Sequence, residues 1–320
     1  IFQINFFCIK LNKRIGGKMI YTVTFNPALD YIVHVDNLAM GSINKIKKEQ
    51  VFAGGKGVNV SVVMKNLGYD NTAMGFVAGF TGDEIERELK ERGIDTKFIH
   101  LPNGMSRINI KLKSEFETEL NGQGPEVTQE AIDEFLKQME WLKAGDYLVI
   151  SGSTPALIND DIYGEILKSL MGRGVNVTVD ATKGLLLKAL PYHPFLIKPN
   201  KRELEEFFDV TLYNKKDIIE YAEKLKDRGA RNILVSLGAD GAVLLAEDGQ
   251  LYERKAPEGK VINSVGSGDS MVAGFIAGYM KHADYDEALK LGVAAGSACA
   301  FLDGLASKEA IMDIFEQMEK

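Results

Sequence analysis

Apolar and polar positions follow two different rhythms along this chain. Thr128 to Lys143 places Ile132, Phe135, Leu136, Met139 and Leu142 at the spacing of an amphipathic helix. Tyr147-Leu148-Val149-Ile150 follows as an unbroken apolar strand closed by Ser151 to Pro155. A second helix ends near Gly172, and Val175 to Val179 leads to Asp180. Phe195-Leu196-Ile197 ends in Lys198-Pro199-Asn200; after more helix, Asn232 to Val235 ends in Ser236-Leu237-Gly238. Apolar strands alternating with helices of this length predict a mostly parallel sheet covered on both faces. Ser153, Asp180, Asn200 and Ser236 fall at or just past strand carboxyl ends, the edge where such sheets bind ligands.

The second rhythm has period two. Arg107 to Lys113 alternates strictly, with Arg107, Asn109, Lys111 and Lys113 on one face, and Phe116 to Leu120 reads as its hairpin partner. Tyr31 to Asp36 and Asn44 to Phe52 also read as extended. These pieces predict a small antiparallel sheet projecting from the main domain; an edge extension of the main sheet fits the pattern equally. Strand alternation begins only at Met19, after an apolar run (Ile4, Phe6, Phe7, Ile9) too short to span a membrane and without a small-residue cleavage site. The expectation is that residues 1–18 are a non-native or disordered extension and that Met19 is the biological start.

Composition narrows the classes. At 320 residues, 45% apolar and 26% charged, the chain fits one large globular domain or two ordinary ones. Lys and Arg total 38 against 45 Asp and Glu, a formal charge of −7, so there is no global basic field for nucleic acid, and anionic ligands need local cations. Cys8 and Cys299 stand far apart and the four histidines are scattered, which argues against a disulfide framework or a structural zinc site. A soluble, cytosolic protein with no membrane contact is expected.

Two glycine-rich runs carry candidate chemistry. In Asn263 to Ser270, Gly266-Ser267-Gly268-Asp269 opens a helix, so several backbone N–H groups and the helix dipole converge on one anion site. Asp269 stands at its mouth, as a general base for phosphoryl transfer would; taken alone, a Gly-x-Gly-Asp run is more often just a helix N-cap. Met271 in place of the last glycine excludes a dinucleotide fingerprint, and no P-loop motif exists. Ala53-Gly54-Gly55-Lys56-Gly57-Val58-Asn59 allows close backbone approach to a ligand, and Asn59 can grip hydroxyls; a tight strand-to-helix turn explains it as well. Gly274 and Gly278 read as helix-packing positions.

Together these runs resemble the signature pair of the ribokinase (phosphofructokinase B) family of sugar kinases, over essentially Met19 to Lys320. Four further segments, Thr24 to Asp30, Ser106 to Lys111, Glu117 to Pro125 and Ile197 to Glu203, are most similar to the branch that phosphorylates fructose 1-phosphate. The resemblance implies a ribokinase-like three-layer α/β core over residues 19–320, with a β lid at about 31–52 and 105–121. It also implies ATP and Mg²⁺ as co-reactants, a hexose phosphate substrate, and a homodimer joined through the lid. It makes Asp269 the catalytic base and the amides of Gly266, Ser267 and Gly268 the anion hole. Asp30, Gly54, Gly55 and Asn59 match sugar-hydroxyl positions, Arg107 a substrate-phosphate ligand, and Lys56 an aid to it. Asn200 and Glu203 match an element that arranges Mg²⁺ and its waters, though this spacing is also a capping box. Ser236, Leu237, Gly238, Ala239, Asp240 and Gly241 resemble the nucleotide-binding turn, with Lys183 a further candidate for the ATP phosphates.

The function implied is transfer of the ATP γ-phosphoryl to fructose 1-phosphate. Tagatose-6-phosphate kinase, from the same subgroup, is the nearest rival, and a catalytically silent sugar-phosphate sensor is the alternative of another class.

Overall fold

A computed structural model describes residues 17–155 and 161–318. Most of the expected extension, with Cys8, lies outside the described residues. In chain order the strands are β1 (Ile20–Thr24), β2 (Ala28–His34), β3 (Lys48–Gly54), β4 (Thr72–Ala78), β5 (Asp95–Leu101), β6 (Arg107–Lys113) and β7 (Thr118–Asn121). They continue as β8 (Tyr147–Ser151), β9 (Asn176–Asp180), β10 (Leu196–Ile197), β11 (Asn232–Ser236), β12 (Ala242–Leu245) and β13 (Leu251–Arg254).

Nine strands form the main sheet in the order β13-β12-β11-β10-β9-β8-β1-β4-β5. It is parallel except at one edge, where β12 and β13 run antiparallel. Alternate side chains of one strand feed two cores: Leu148 and Ile150 of β8 enter one, Tyr147 and Val149 the other. That two-sided burial is why these strands read as continuous apolar runs. Helices Ser267–His282 and Tyr285–Ala300 pack closely on one face, because a Cβ at Gly274 would collide with Leu291 and Ala295 and one at Gly278 with Ala288. No helix among the described residues is long and apolar enough to cross a membrane.

The other four strands form a separate sheet in the order β3-β2-β6-β7, so the period-two segments are a lid, not an edge extension. Its outer pairs are antiparallel hairpin-like ladders, whereas the central pair β2 and β6 runs parallel. The difference from a purely antiparallel lid follows from connectivity, since β4, β5 and two helices intervene between β3 and β6. The lid strands run over Ala28–Gly54 and Arg107–Asn121, so their roots reach closer to the core than residues 31–52. At those roots Ala28 pairs with both Gly54 and Arg107, which brings three distant segments to one place.

Candidate active site

The site lies at the carboxyl edge of the main sheet, beneath the lid. Helix Ser267–His282 begins at Gly266, whose φ of +80° turns the chain into the helix. The Ser267 amide leans back to the Ser264 carbonyl at 3.3 Å, and the first intrahelical bond is from Ser270 to Gly266. Asp269 is the third residue of this helix, and its carboxylate is buried. It is not an N-cap: no side chain caps this helix, and Asp269 Oδ2 instead accepts a bond from Asn59 Nδ2 at 2.8 Å. Asn59 is delivered by helix Lys56–Asn66, which starts after Gly55 at φ +113°.

A second buried carboxylate, Asp180, ends β9. Lys56 Nζ lies 3.4 Å from it and the buried Lys198 Nζ 3.6 Å. Burial works to raise the Asp180 carboxyl, but Lys198 and Lys56 outweigh it and hold it below the ordinary range. Asp269 goes the other way. Burial first, then the charge of Asp180, push its pKa up to about 6, while Asn59, Lys56 and Lys198 oppose the rise. Two neighbouring carboxylates driven apart in this way are the mark of an acid–base site. For Lys56, burial favours the neutral form, yet Asp180, Asp269 and Glu203 together keep the ammonium more basic than usual.

Three cavities involve residues close to Asp269 in the chain or in its charge environment: Ser267 and Gly268, its partner Asn59, and Lys56. One of about 570 Å³ is lined by Asn200, Ser236, Gly238, Ala239, Gly241, Ser267 and Gly268. A second, of about 270 Å³, contains Asp30, Asn59, Lys111 and Arg92. A third, of about 210 Å³, gathers Gly55, Lys56 and Arg107 with Thr24, Asn26 and Ser153. Asp30 is held by Asn109 Nδ2 at 2.9 Å and by Lys111 Nζ at 3.4 Å. Gly54 fits beneath it, since a Cβ there would meet the Asp30 carboxylate. Arg107 Nε donates to the Asn26 carbonyl at 3.0 Å, leaving its terminal nitrogens toward the cavity; burial lowers its pKa and Asp30 opposes this.

Asn200 and Glu203 form a complete capping box, each side chain accepting the other residue's amide at 2.8 Å. Three of the expected nucleotide residues are not part of the large cavity. Leu237 and Asp240 close the turn through backbone bonds, and Lys183 Nζ donates to the Glu206 carbonyl at 2.8 Å. Conversely, the structure adds Asp180 and Lys198 to the site. Each ends or follows an apolar strand at the ligand edge, which was the available signal. A Cβ on Gly268 would lie 3.1 Å from Lys198 Nζ, so this ammonium sits directly against the amide turn.

The profile of pfkB family carbohydrate kinases matches residues 23–310. A 1-phosphofructokinase of Bacillus subtilis is 41% identical over 94% of this chain and 99% of its own length. A D-tagatose-1-phosphate kinase of Bacillus licheniformis is 39% identical over 90% of this chain and 94% of its own. The crystal structure of Escherichia coli phosphofructokinase-2 with fructose 6-phosphate superposes with a TM-score of 0.88 at 25% identity, covering 95% of this chain and 100% of that one. With a lidded nine-stranded sheet, a helix tip bearing a buried carboxylate, and full-length matches of this kind, the chain belongs to the pfkB family of carbohydrate kinases.

Proposed function

We propose that this protein transfers the γ-phosphoryl group of ATP to the 6-hydroxyl of fructose 1-phosphate, giving ADP and fructose 1,6-bisphosphate. The observation that carries the reading is the place of Asp269. It is bonded to Asn59, a wall of the sugar-side cavity, and follows directly on Ser267 and Gly268, walls of the larger cavity. The full-length likeness to the Bacillus subtilis 1-phosphofructokinase supports the substrate.

With a pKa of about 6, Asp269 is mostly ionised at neutral pH and still basic enough to take the hydroxyl proton as that oxygen attacks phosphorus. The bond to the ADP oxygen breaks as the new one forms. Asn59 fixes the carboxylate, and the amides of Gly266, Ser267 and Gly268, with Lys198 behind them, balance charge on the moving group. Asp30 and Asn59 hold sugar hydroxyls. Arg107 and Lys56 hold the substrate phosphate, a fork and a point charge respectively. Ser236 to Gly241 and Asn200 form a wall for the nucleotide.

Mg²⁺ fits the donor set. Glu203 has one carboxylate oxygen on the Asn200 amide and the other without a bond to a described residue, and its charge is felt by Lys56. Glu203 would hold such an ion, which would shield phosphate charge there. Dimerisation through the lid is supported by its outer face, where Val51, Tyr31, Ile110 and Leu120 form one lateral rung with Val51 and Leu120 exposed.

The Bacillus licheniformis relative favours tagatose 1-phosphate, the C4 epimer, as the second reading, in place of tagatose 6-phosphate. A silent sensor has no use for a base beside an amide-lined turn. Coupled ADP-release assays on fructose 1-phosphate, tagatose 1-phosphate, tagatose 6-phosphate and fructose 6-phosphate decide the matter. Fructose 1-phosphate should give the highest kcat/KM; a higher value for any other sugar overturns the assignment.

A further inference from the structure

The larger cavity has an outer wall without regular secondary structure. This strap runs from the end of β13 to the Gly266 turn, and Ala256, Pro257, Glu258, Gly259 and Val261 face the cavity. No ladder bonds fix its place. Its anchors are the Ala300 carbonyl, which accepts from the amides of Ile262 at 2.8 Å and Asn263 at 3.2 Å, and, at its far end, the Val265 carbonyl, which accepts from Cys299 Sγ at 3.5 Å. The next residue, Phe301, lines the same cavity with a half-buried ring. Gly259, although exposed to solvent, lies on that ring: a Cβ there would overlap Cζ, Cε1 and Cε2 of Phe301. Its backbone is outside the left-handed region, so the ring, not the torsion angles, requires glycine.

We propose that Gly259 and Phe301 are positioning residues, a flat-on-flat latch that sets the strap's distance from helix Tyr285–Ala300 and thereby the width of the slot for the nucleotide base. This rests on the nucleotide reading of the cavity. A planar base gains most of its hold from atoms within van der Waals distance on both faces, and a gap below one ångström already forfeits much of it. The phosphates are held elsewhere, at Ser267 and Gly268. A displaced strap therefore alters base binding and base discrimination while leaving the chemical step alone.

Gly259→Ala is the test. Overpacking against the ring should push the strap outward, raise KM for ATP about ten-fold and narrow the preference for ATP over CTP. The kcat and the KM for sugar phosphate should stay within about two-fold. Phe301→Leu in the Gly259→Ala background should recover most of the ATP affinity by making room for the methyl group. Phe301→Ala alone should lose base discrimination without any change at position 259. An unchanged ATP KM and ATP/CTP ratio in Gly259→Ala, or a defect that Phe301→Leu fails to relieve, overturns the latch. Absence of ATP-dependent turnover in the unaltered protein would instead sink the nucleotide reading beneath it.

Discussion

The cavities on the two sides of the candidate site are built by different means. On the sugar side the walls include charged side chains drawn from separate elements: Asp30, Lys111 and Arg92 in one cavity, Lys56 and Arg107 in the other. On the nucleotide side the lining, among the described residues, includes no lysine or arginine and is rich in Gly, Ala and Ser. The sugar phosphate thus meets formal charges at the ends of flexible stems, whereas the nucleotide meets fixed dipoles and close surfaces. The first arrangement tunes selectivity through a few replaceable residues. The second depends largely on main-chain shape, so an added methyl group should disturb it as well as loss of a side chain such as Phe301.

Substitution at the junction should be the most severe way to test this division. Asp269→Asn should lower turnover roughly a hundred- to ten-thousandfold with ATP affinity retained, measured by coupled assay and equilibrium binding. A variant that keeps full turnover would remove Asp269 as base. The same variant should unfold at higher temperature. A carboxyl whose folded pKa is raised to about 6 by burial and Asp180 stabilises the fold only while protonated, and that contribution is lost as pH rises through 6. Melting curves of both proteins should therefore converge as pH is lowered below that value.

On the sugar side alone, Arg107→Ala should raise KM for the sugar phosphate by roughly ten- to a hundredfold, about 1.5–3 kcal/mol for a charge-assisted contact. ATP KM should not move. An equal rise for both substrates would mean that the two sides are not separable in the way described.

The mildest probe is pH. Below about pH 6, kcat/KM should fall about ten-fold per unit as Asp269 protonates. Asp180, held low despite its burial by Lys198 and Lys56, should add no limb in that range. A flat profile down to pH 5 would separate the base from this carboxylate.

The same contrast explains what could be read from the chain. Strands buried on both faces announce themselves as apolar runs, and β6, polar on one face, as strict alternation. Glycine spacing at Gly54-Gly55 and Gly266 to Gly268 pointed to close approach of backbone to a ligand. Less visible were interactions that depend on pairing across the fold. The roles of Asp180 and Lys198 emerge only when β9 and β10 lie side by side, and the 3.6 Å contact between them has no local signature. Lys183 shows the converse dependence on tertiary contacts. A lysine after a strand end is a reasonable phosphate ligand until the helix that it begins turns its amine onto Glu206. The parallel pairing of β2 with β6 was hidden for a similar reason, since two-residue periodicity says nothing about strand direction.

The pairing at the base of the lid bears on how such a protein can diverge. Gly54, Arg107, Asp30 and Asn109 all occupy the first three rungs, counted from Ala28. A single-residue insertion within those rungs would turn every following side chain to the opposite face, so descent there is restricted to substitution. Beyond His34, Lys48 and Lys113 the ladders end. The distal rim can lengthen, shorten or change its companions over generations while the inherited chemistry at the root stays intact.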